Sequence, residues 1–340
     1  MSKRAALISA FLDQAGWGDV PRKLVAGDAS NRRYERLERS AQDTAILMDA
    51  PPDKGEDVRP FVQITEHLRA AGLSAPEIFA RDDTHGLLLI EDLGDDLFAR
   101  VMADDPTLEL ALYAASVDVL VHLHQATAPD LPHYDADIMT DRAALAYDWY
   151  QRGVNGTVNE DQRATFASAF HACFAPLDGA PQVLIQRDYH AENLIWLPDR
   201  VGVRRVGLLD YQDAMLGHPA YDLVSIVQDA RRDVPADVGE AMITRYLKAM
   251  QMEEVQFRDA FALLGLQRNL RILGVFARLS MHYGKPHYVD LIPRVWGHIQ
   301  TNLAHPALSA IKPIIDADLP APTPTLLQKL KDQCATIPLP

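Results

Sequence analysis

The segment VLIQRDYHAENLIWLPDRVGVRRVGLLDYQDA, residues 183–214, contains the apolar and polar pattern from which the architecture is inferred. Asp188 and Asn193 stand five residues apart between two apolar runs, and Asp210 closes the next apolar run, seventeen residues after Asn193. Short apolar runs bounded by turn residues are typical of buried strands. The turn residues at 198–202 predict a hairpin, which would bring the three oxygen-bearing side chains together.

These residue types suit the chemistry of a metal ion and phosphate groups. An Asn amide oxygen and an Asp carboxylate are hard ligands of the kind Mg²⁺ prefers, and they leave positions for phosphate oxygens and water. The pattern therefore predicts Asn193 and Asp210 as Mg²⁺ ligands, and Asp188 as the group that orients an acceptor hydroxyl. The alternative, in which all three are turn or capping residues, stays open.

The rest of the chain predicts two parts of different character. Before Gly94 the apolar pattern favours strands with helices at 1–16 and 59–72, and after it the pattern is helical except at 183–214. We predict an α+β fold of two lobes. A small β-rich lobe with one main helix would cover residues 1–93, a larger, mostly helical lobe would cover residues 94–340, and the ligand would bind in the cleft between them.

Composition excludes several classes of protein. With 48% hydrophobic residues in 340, the chain can bury a sizeable core, and its net charge of −14 disfavours nucleic acid as a partner. Cys173 and Cys334 lack the spacing of a disulfide framework or zinc site. The apolar run at 5–12 is too short for a signal peptide, and we expect no membrane span. These features predict a cytoplasmic protein.

The motifs QRDYHAEN and LLDYQDAMLGHPAYDL resemble those of the aminoglycoside and choline phosphotransferase family of kinase-like folds. That family's motifs are H-x-D-x-x-x-x-N and D-[FYW]-x-x-A, followed by G-x-P-x-x-D-L. The resemblance implies a protein-kinase-like fold and transfer of phosphate from ATP, with Mg²⁺, to a hydroxyl of a small molecule. It also implies Asp188 as catalytic base, Asn193 and Asp210 as Mg²⁺ ligands, and Asp222 as a structural acid that anchors the catalytic loop.

Two departures from the family pattern concern the loop and the nucleotide. Gln186 stands where the family usually has a His, which is generally structural. Met48 stands where kinases carry a Lys that binds phosphate oxygens. Glu66, on the helix that follows, would then lack its usual cation, and a buried lone carboxylate is unfavourable.

The turn GDASNRRY offers a replacement for the missing lysine. We hypothesise that Arg32 or Arg33 lies over the phosphates and pairs with Glu66, since a planar guanidinium suits phosphate oxygens. The alternative is a solvated arginine face on a strand edge. The predicted nucleotide-binding residues, of which the last two would hold the adenine edge through their backbone, are Asn31, Arg32, Arg33, Met48, Glu66, Glu91 and Leu93.

Acceptor contacts are predicted from the helical part of the chain and from the catalytic loop. Arg268 and Arg271 are three residues apart on one helix face, where they would receive an anionic substrate group; a solvent-facing stripe is the alternative. His190 and Asp213 are further candidates for contact with the substrate. A hydrogen-bonded structural role for His190 is the alternative.

Within the family, the stretches GDASNRRY, MDAPPDKGEDVRPF and LQRNLRILGVFARL look most like bacterial anomeric kinases that act on N-acetylmuramate and N-acetylglucosamine. This resemblance implies a sugar 1-phosphate product and a role in peptidoglycan recycling. A kinase for an aminoglycoside or choline-like amine is one alternative, since an acidic protein attracts cations. A nucleotide-binding pseudokinase, suggested by Met48, is the other.

Overall fold

The computed structural model of the chain describes residues 3–27 and 31–339, and for residues 26 and 27 the backbone alone. The predicted turn GDASNRRY therefore lies partly outside the described residues, at positions 28–30. The chain separates into two compact units, the first made of Met1–Pro129 with Ala191–Ala214 and the second of Asp130–His190 with Met215–Pro340. The predicted lobe boundary after residue 93 stays a prediction.

The first unit is built on an antiparallel sheet. Its strands are β1 (Arg22–Gly27), β2 (Arg33–Ser40), β3 (Asp43–Asp49), β4 (Ile78–Asp82) and β5 (Leu87–Glu91), with the spatial order β1-β2-β3-β5-β4. The predicted strands β2 to β5 are confirmed. Strand β1 was not predicted, because it lies at the sheet edge, where Leu24 and Val25 are exposed and no alternating apolar pattern is needed.

One face of this sheet is covered by the first helix, α1 (Lys3–Gln14). Phe11 and Leu12 of α1 join a buried cluster with Leu37, Leu47 and Leu89 from the three central strands. Side chains alternate between the two faces of a strand. Met48, next to Leu47 and fully buried, therefore lies on the sheet face opposite α1.

A small hairpin completes the first unit. The other helices of the unit are α2 (Arg59–Ala70), α3 (Phe98–Asp104) and α4 (Glu109–Gln125), and the hairpin consists of β7 (Leu194–Trp196) and β8 (Val206–Leu208). The predicted hairpin between Asn193 and Asp210 is confirmed by this antiparallel pairing. Ser74, after α2, fixes it: the Leu208 amide donates to the Ser74 carbonyl (3.0 Å), and the Ser74 hydroxyl donates to the Arg204 carbonyl (2.7 Å).

The second unit is mostly helical. Its helices are α5 (Ala136–Leu145), α6 (Arg152–Asn155), α7 (Glu160–Ala172), α8 (Ala220–Val227), α9 (Ala236–Met250), α10 (Glu254–Met281), α11 (Ile292–Leu303), α12 (Lys312–Asp318) and α13 (Pro324–Asp332), and its paired strands are β6 (Val183–Ile185) and β9 (Met215–Gly217). The 28-residue helix α10 is the centre of the unit, and most of its residues are buried. A π-helical segment, Ala146–Gln151, continues α5 and packs against α10. The α+β class is confirmed.

Two helical stretches of the described chain are long and apolar enough, by length and composition alone, to cross a membrane. They are Pro106–Gln125 and Glu254–Met281. Most of the apolar window in Glu254–Met281 is buried inside the protein, as is common for the core helix of a globular domain.

Candidate active site

The catalytic-loop motif begins directly after strand β6, and a buried carboxylate on α8 holds its backbone. Asp222 is fully buried and accepts hydrogen bonds from the amides of Gln186 (2.6 Å) and Arg187 (2.9 Å). Arg187 has a left-handed backbone (φ 72°), a conformation that costs energy for a residue with a Cβ. The predicted anchoring contact of Asp222 is confirmed, and it holds the two residues that precede Asp188.

Asp188 lies in the second unit among basic side chains. Its carboxylate is 3.8 Å from the Arg271 guanidinium, with 33% of the Asp188 side chain exposed. Burial raises the pKa of Asp188, but the nearby cations, Arg271 first and then Arg268, outweigh it and hold the pKa below its ordinary value. Asp188 is therefore a carboxylate at neutral pH and can accept a hydrogen bond from a hydroxyl group.

His190, two residues on, is buried against Arg231 of the second unit. The Arg231 Nη1 atom is 3.0 Å from His190 Nε2. Because arginine only donates hydrogen bonds, His190 Nε2 must accept, which places the proton of the neutral ring on Nδ1. Burial, reinforced by Arg231, lowers the pKa of His190 to about 4. His190 is thus a neutral hydrogen-bonding group at physiological pH.

Asn193 and Asp210 meet at one end of the β7–β8 hairpin in the first unit. The Leu209 amide donates to the Asn193 carbonyl (3.0 Å), and Asn193 Nδ2 donates to Asp210 Oδ2 (3.3 Å). Asp210 is exposed, has a left-handed backbone (φ 57°), and also accepts from Gln212 Nε2 (2.8 Å). The pairing of β7 with β8 therefore sets the distance between these two side chains.

The donor set at this hairpin end fits Mg²⁺. It offers one carboxylate and one amide oxygen, and Mg²⁺ is usually bound by one or two such groups together with substrate phosphates and water. Within residues 3–27 and 31–339, no group of three or more His, Cys, Asp or Glu side chains is arranged to hold a metal ion. Two protein ligands at the hairpin end would leave coordination positions for phosphate oxygens and water.

Tyr211, the aromatic position of the D-[FYW]-x-x-A motif directly after Asp210, links this hairpin to helix α2, a contact that was not predicted. Its hydroxyl lies 2.7 Å from the Thr65 hydroxyl, and its ring stacks on Phe61 at a centroid distance of 5.2 Å. Phe61 and Thr65 are four residues apart on α2, so they share one helix face. The contacts with this face of α2 hold Tyr211, the residue next to Asp210, in place.

The predicted pairing of Arg32 or Arg33 with Glu66 is wrong. Arg32 Nε donates to Glu56 Oε2 (2.8 Å), and both side chains are nearly buried. Arg33 pairs with Glu35 at 3.0 Å. Glu66 is two-thirds exposed and lies 3.5 Å from Arg81, so water solvates its carboxylate and it needs no buried cation.

Glu56, missed in the sequence, organises the segment around the predicted phosphate-binding turn. Its Oε1 accepts from the Asn31 amide (3.0 Å), and Asn31 Nδ2 donates to the Lys54 carbonyl (3.1 Å). Asn31 and Arg32 are therefore held by the same carboxylate. A partner 24 residues away and outside any regular repeat leaves no signal in the sequence.

The remaining predicted nucleotide residues lie on the sheet of the first unit. Met48 pairs in register with Tyr34 on one side and Leu88 on the other. Glu91 ends β5, and its side chain accepts from Arg200 of the hairpin connection. Leu93, two residues after β5, is buried.

The three remaining acceptor candidates differ in burial. Asp213 is exposed and lies in the first unit. Arg268 is 2% exposed, and its Nη1 lies 3.4 Å from the Gln228 carbonyl, so a solvent-facing arginine stripe is wrong. Arg271, whose side chain is 17% exposed, faces Asp188. Two arginines inside a long apolar helix were the sequence feature that indicated these buried positions.

Comparison with known proteins gives consistent results. Residues 22–260 match the model of a family described as the phosphotransferase enzyme family. The chain is 39% identical to an N-acetylmuramate/N-acetylglucosamine kinase of Caulobacter vibrioides, over 95% of this chain and 98% of that protein. It is 32% identical to a protein of the same name from Pseudomonas aeruginosa, over 90% and 91% of the two chains.

The fold has counterparts among solved structures. A choline/ethanolamine kinase family protein from Mesorhizobium loti superposes with a TM-score of 0.62, at 14% sequence identity, over 92% of this chain and 99% of that one. At this level of identity the match carries the fold alone. The predicted kinase-like fold is confirmed.

Proposed function

Because the chain belongs to the phosphotransferase enzyme family, we propose that it transfers the γ-phosphoryl group of ATP to the anomeric hydroxyl of N-acetylmuramate and N-acetylglucosamine. The observation that carries this proposal is the 39% identity to a kinase named for these two sugars, over almost the full length of both chains. The product would be a sugar 1-phosphate. Such an activity belongs to cytoplasmic salvage of cell-wall sugars.

Asp188 is proposed as the catalytic base. Its carboxylate, held ionised by Arg271 and Arg268, accepts a hydrogen bond from the acceptor hydroxyl and orients the oxygen for attack on the γ-phosphorus. The proton passes to Asp188 as the new P–O bond forms and the bond to the β-phosphate oxygen breaks. Asp222, through the amides of Gln186 and Arg187, keeps the loop in place without touching substrate.

Asn193 and Asp210 are proposed as the Mg²⁺ ligands. Their side chains lie within hydrogen-bond distance at the end of one rigid hairpin. A bound Mg²⁺ would neutralise the negative charge of the phosphates. Tyr211, fixed by Thr65 and Phe61, holds the backbone beside Asp210, so the ligand is positioned before the nucleotide arrives.

The nucleotide is proposed to bind along the sheet of the first unit. The backbone of Glu91 and Leu93 would hold the adenine edge, and Met48 would contact the base or ribose as an apolar surface. Asn31, Arg32 and Arg33 would face the phosphates. The role of Asn31 and Arg32 is supported by the hydrogen bonds that both make to Glu56, and not by any pairing with Glu66.

An acceptor screen tests this function. The purified protein is incubated with ATP and Mg²⁺ and, separately, N-acetylmuramate, N-acetylglucosamine, an aminoglycoside or choline, and ADP release is recorded. We expect turnover with the two amino sugars and a phosphorus resonance split by the anomeric proton. Turnover only with the amines would support an amine kinase instead, and ATP binding without turnover on any acceptor would support a pseudokinase.

The base is tested in the same assay. Asp188→Asn keeps the shape of the side chain but cannot accept a proton, so we expect kcat to fall by about 10²- to 10⁴-fold. Asp199→Asn, an exposed acid in the hairpin connection, is the matched control and should keep wild-type kcat. If Asp188→Asn turns over at the wild-type rate, the assignment of the base is wrong.

A further inference from the structure

Arg271 is the cation closest to the proposed base, and part of it is accessible. Its guanidinium is 3.8 Å from the Asp188 carboxylate, longer than a hydrogen bond, and 17% of its side chain is exposed. Arginine carries five N–H donors in a planar fork. Among the described residues, Asp188 is the one carboxylate that forms an ion pair with it. The guanidinium therefore retains donors for a second anion.

Arg268, one turn earlier on α10, has a different position. It is buried and lies against the Gln228 carbonyl, and the carboxylates of Asp188 and Asp229 interact with it electrostatically. A side chain enclosed in this way cannot reach a ligand directly. It adds to the positive potential that Asp188 experiences, whereas Arg271 supplies the cation that a ligand can touch.

The acceptor has to come close to Arg271. A hydroxyl that donates to Asp188 brings the neighbouring substituents of the sugar within a few ångströms of a guanidinium that is itself 3.8 Å from that carboxylate. At such distances, in a half-buried environment, one unit of charge on the acceptor is weakly screened. A carboxylate is attracted and an ammonium group is repelled, while a neutral substituent feels neither effect.

We propose that Arg271 selects the acceptor by charge, binding the carboxylate of an acidic sugar and disfavouring acceptors that carry an ammonium group next to the reacting hydroxyl. This proposal rests on the proposed function, which it deepens by naming the residue that separates acidic, neutral and cationic acceptors. N-acetylmuramate carries a carboxylate, N-acetylglucosamine is neutral, and glucosamine carries an ammonium group on the same ring. These three sugars therefore form a charge series of −1, 0 and +1.

The test compares kcat/KM on these three sugars for the wild type, Arg271→Gln and Arg271→Lys. We expect Arg271→Gln to lower the ratio of N-acetylmuramate to N-acetylglucosamine efficiency by about 10- to 100-fold, the range for loss of one charge-assisted hydrogen bond. Efficiency on glucosamine should rise relative to N-acetylglucosamine. Arg271→Lys keeps the charge without the fork, and should retain most of the preference against glucosamine.

Arg278→Gln is the matched control. It removes a half-buried arginine from the same helix seven residues further on, and the acceptor ratios should stay at wild-type values. If Arg271→Gln lowers the efficiency on all three sugars by the same factor, Arg271 acts only through Asp188 and the proposal is overturned. If the wild type phosphorylates neither N-acetyl sugar, it is the proposed function that fails, and the two failures are distinguished.

Discussion

Burial, together with the Arg231 guanidinium, keeps His190 neutral. Burial and Arg231 lower its pKa to about 4, against 6.5 for an ordinary histidine. As the pH falls below 6.5, His190 of the unfolded chain binds a proton. The native ring is protonated only near pH 4. The native state therefore loses stability across that window.

His190→Gln keeps an acceptor for Arg231 but does not titrate. We expect the free energy of unfolding of the wild type, measured against His190→Gln by urea titration, to fall by about 2–3 kcal/mol between pH 7 and pH 4.5. His171→Gln, on the exposed surface of α7, serves as the control. If the free energy of unfolding has the same pH dependence in the wild type and in His190→Gln, the native ring is not held neutral.

Contacts in the site were predictable where a family motif or a hairpin specifies them. The hold of Asp222 on the loop and the meeting of Asn193 with Asp210 are of this kind. The contact of Arg231 with His190, which lies 41 positions away, is not, because contacts between distant loops leave no periodic pattern. The wrong pairing of Glu66 has the same cause, since its exposure was not readable from the sequence.

Helix α10 approaches the end of α5 so closely that only glycine fits at position 274. A Cβ there would lie 2.2 Å from the carbonyl oxygen of Leu145. We expect Gly274→Ala to destabilise the fold by about 1–3 kcal/mol, because backbone cannot move aside as a side chain can. Gly297→Ala, on α11, meets nothing within 4 Å and should stabilise by about 0.5–1 kcal/mol. Thermal and urea unfolding of both variants provide the measurement.

The β7–β8 hairpin is tied to the end of β5 by one arginine. Arg200 Nη1 donates to the Ser74 hydroxyl (2.7 Å) and Nη2 to Glu91, with about a quarter of each charged side chain exposed. Partial exposure limits the expected loss in Arg200→Ala to about 1–2 kcal/mol of unfolding free energy.

Arg204→Ala, an exposed neighbour of Arg200, controls for loss of charge in this segment. The Glu91→Gln variant completes a double-mutant cycle with Arg200→Ala. Additive effects of these two substitutions would mean that the Arg200–Glu91 pair contributes nothing to stability.

Elements with a strong apolar period were predictable, and those without one were not. Helix α2 was expected at 59–72, nearly its observed bounds. The edge strand β1 and the π-helical turn at Ala146–Gln151 were not. An edge strand buries too little apolar surface to require alternation. A π-turn differs from an α-turn in that its hydrogen bond reaches one residue further, and a short turn of this kind leaves no distinct apolar period.

For the molecule as a whole, binding of nucleotide and Mg²⁺ should raise the free energy of unfolding. A ligand that binds only the native state at 100 times its Kd adds about 2.7 kcal/mol. We expect Mg²⁺ with a non-hydrolysable ATP analogue to raise the Tm of the wild type, and EDTA to reverse most of the rise. Asn193→Ala and Asp210→Asn should lose the Mg²⁺-dependent part, whereas Asp199→Asn keeps it. An unchanged Mg²⁺ response in both ligand variants would contradict the metal assignment.

The left-handed backbones at Arg187 and Asp210 have a consequence for laboratory evolution. Glycine adopts a left-handed backbone without the steric cost that other residues have. A library selected for thermal tolerance alone would therefore accumulate glycine at both positions. One substitution would loosen the loop that presents Asp188, and the other would delete a proposed metal ligand. Selection for heat resistance in this protein therefore has to be combined with selection for turnover, or it will enrich inactive variants.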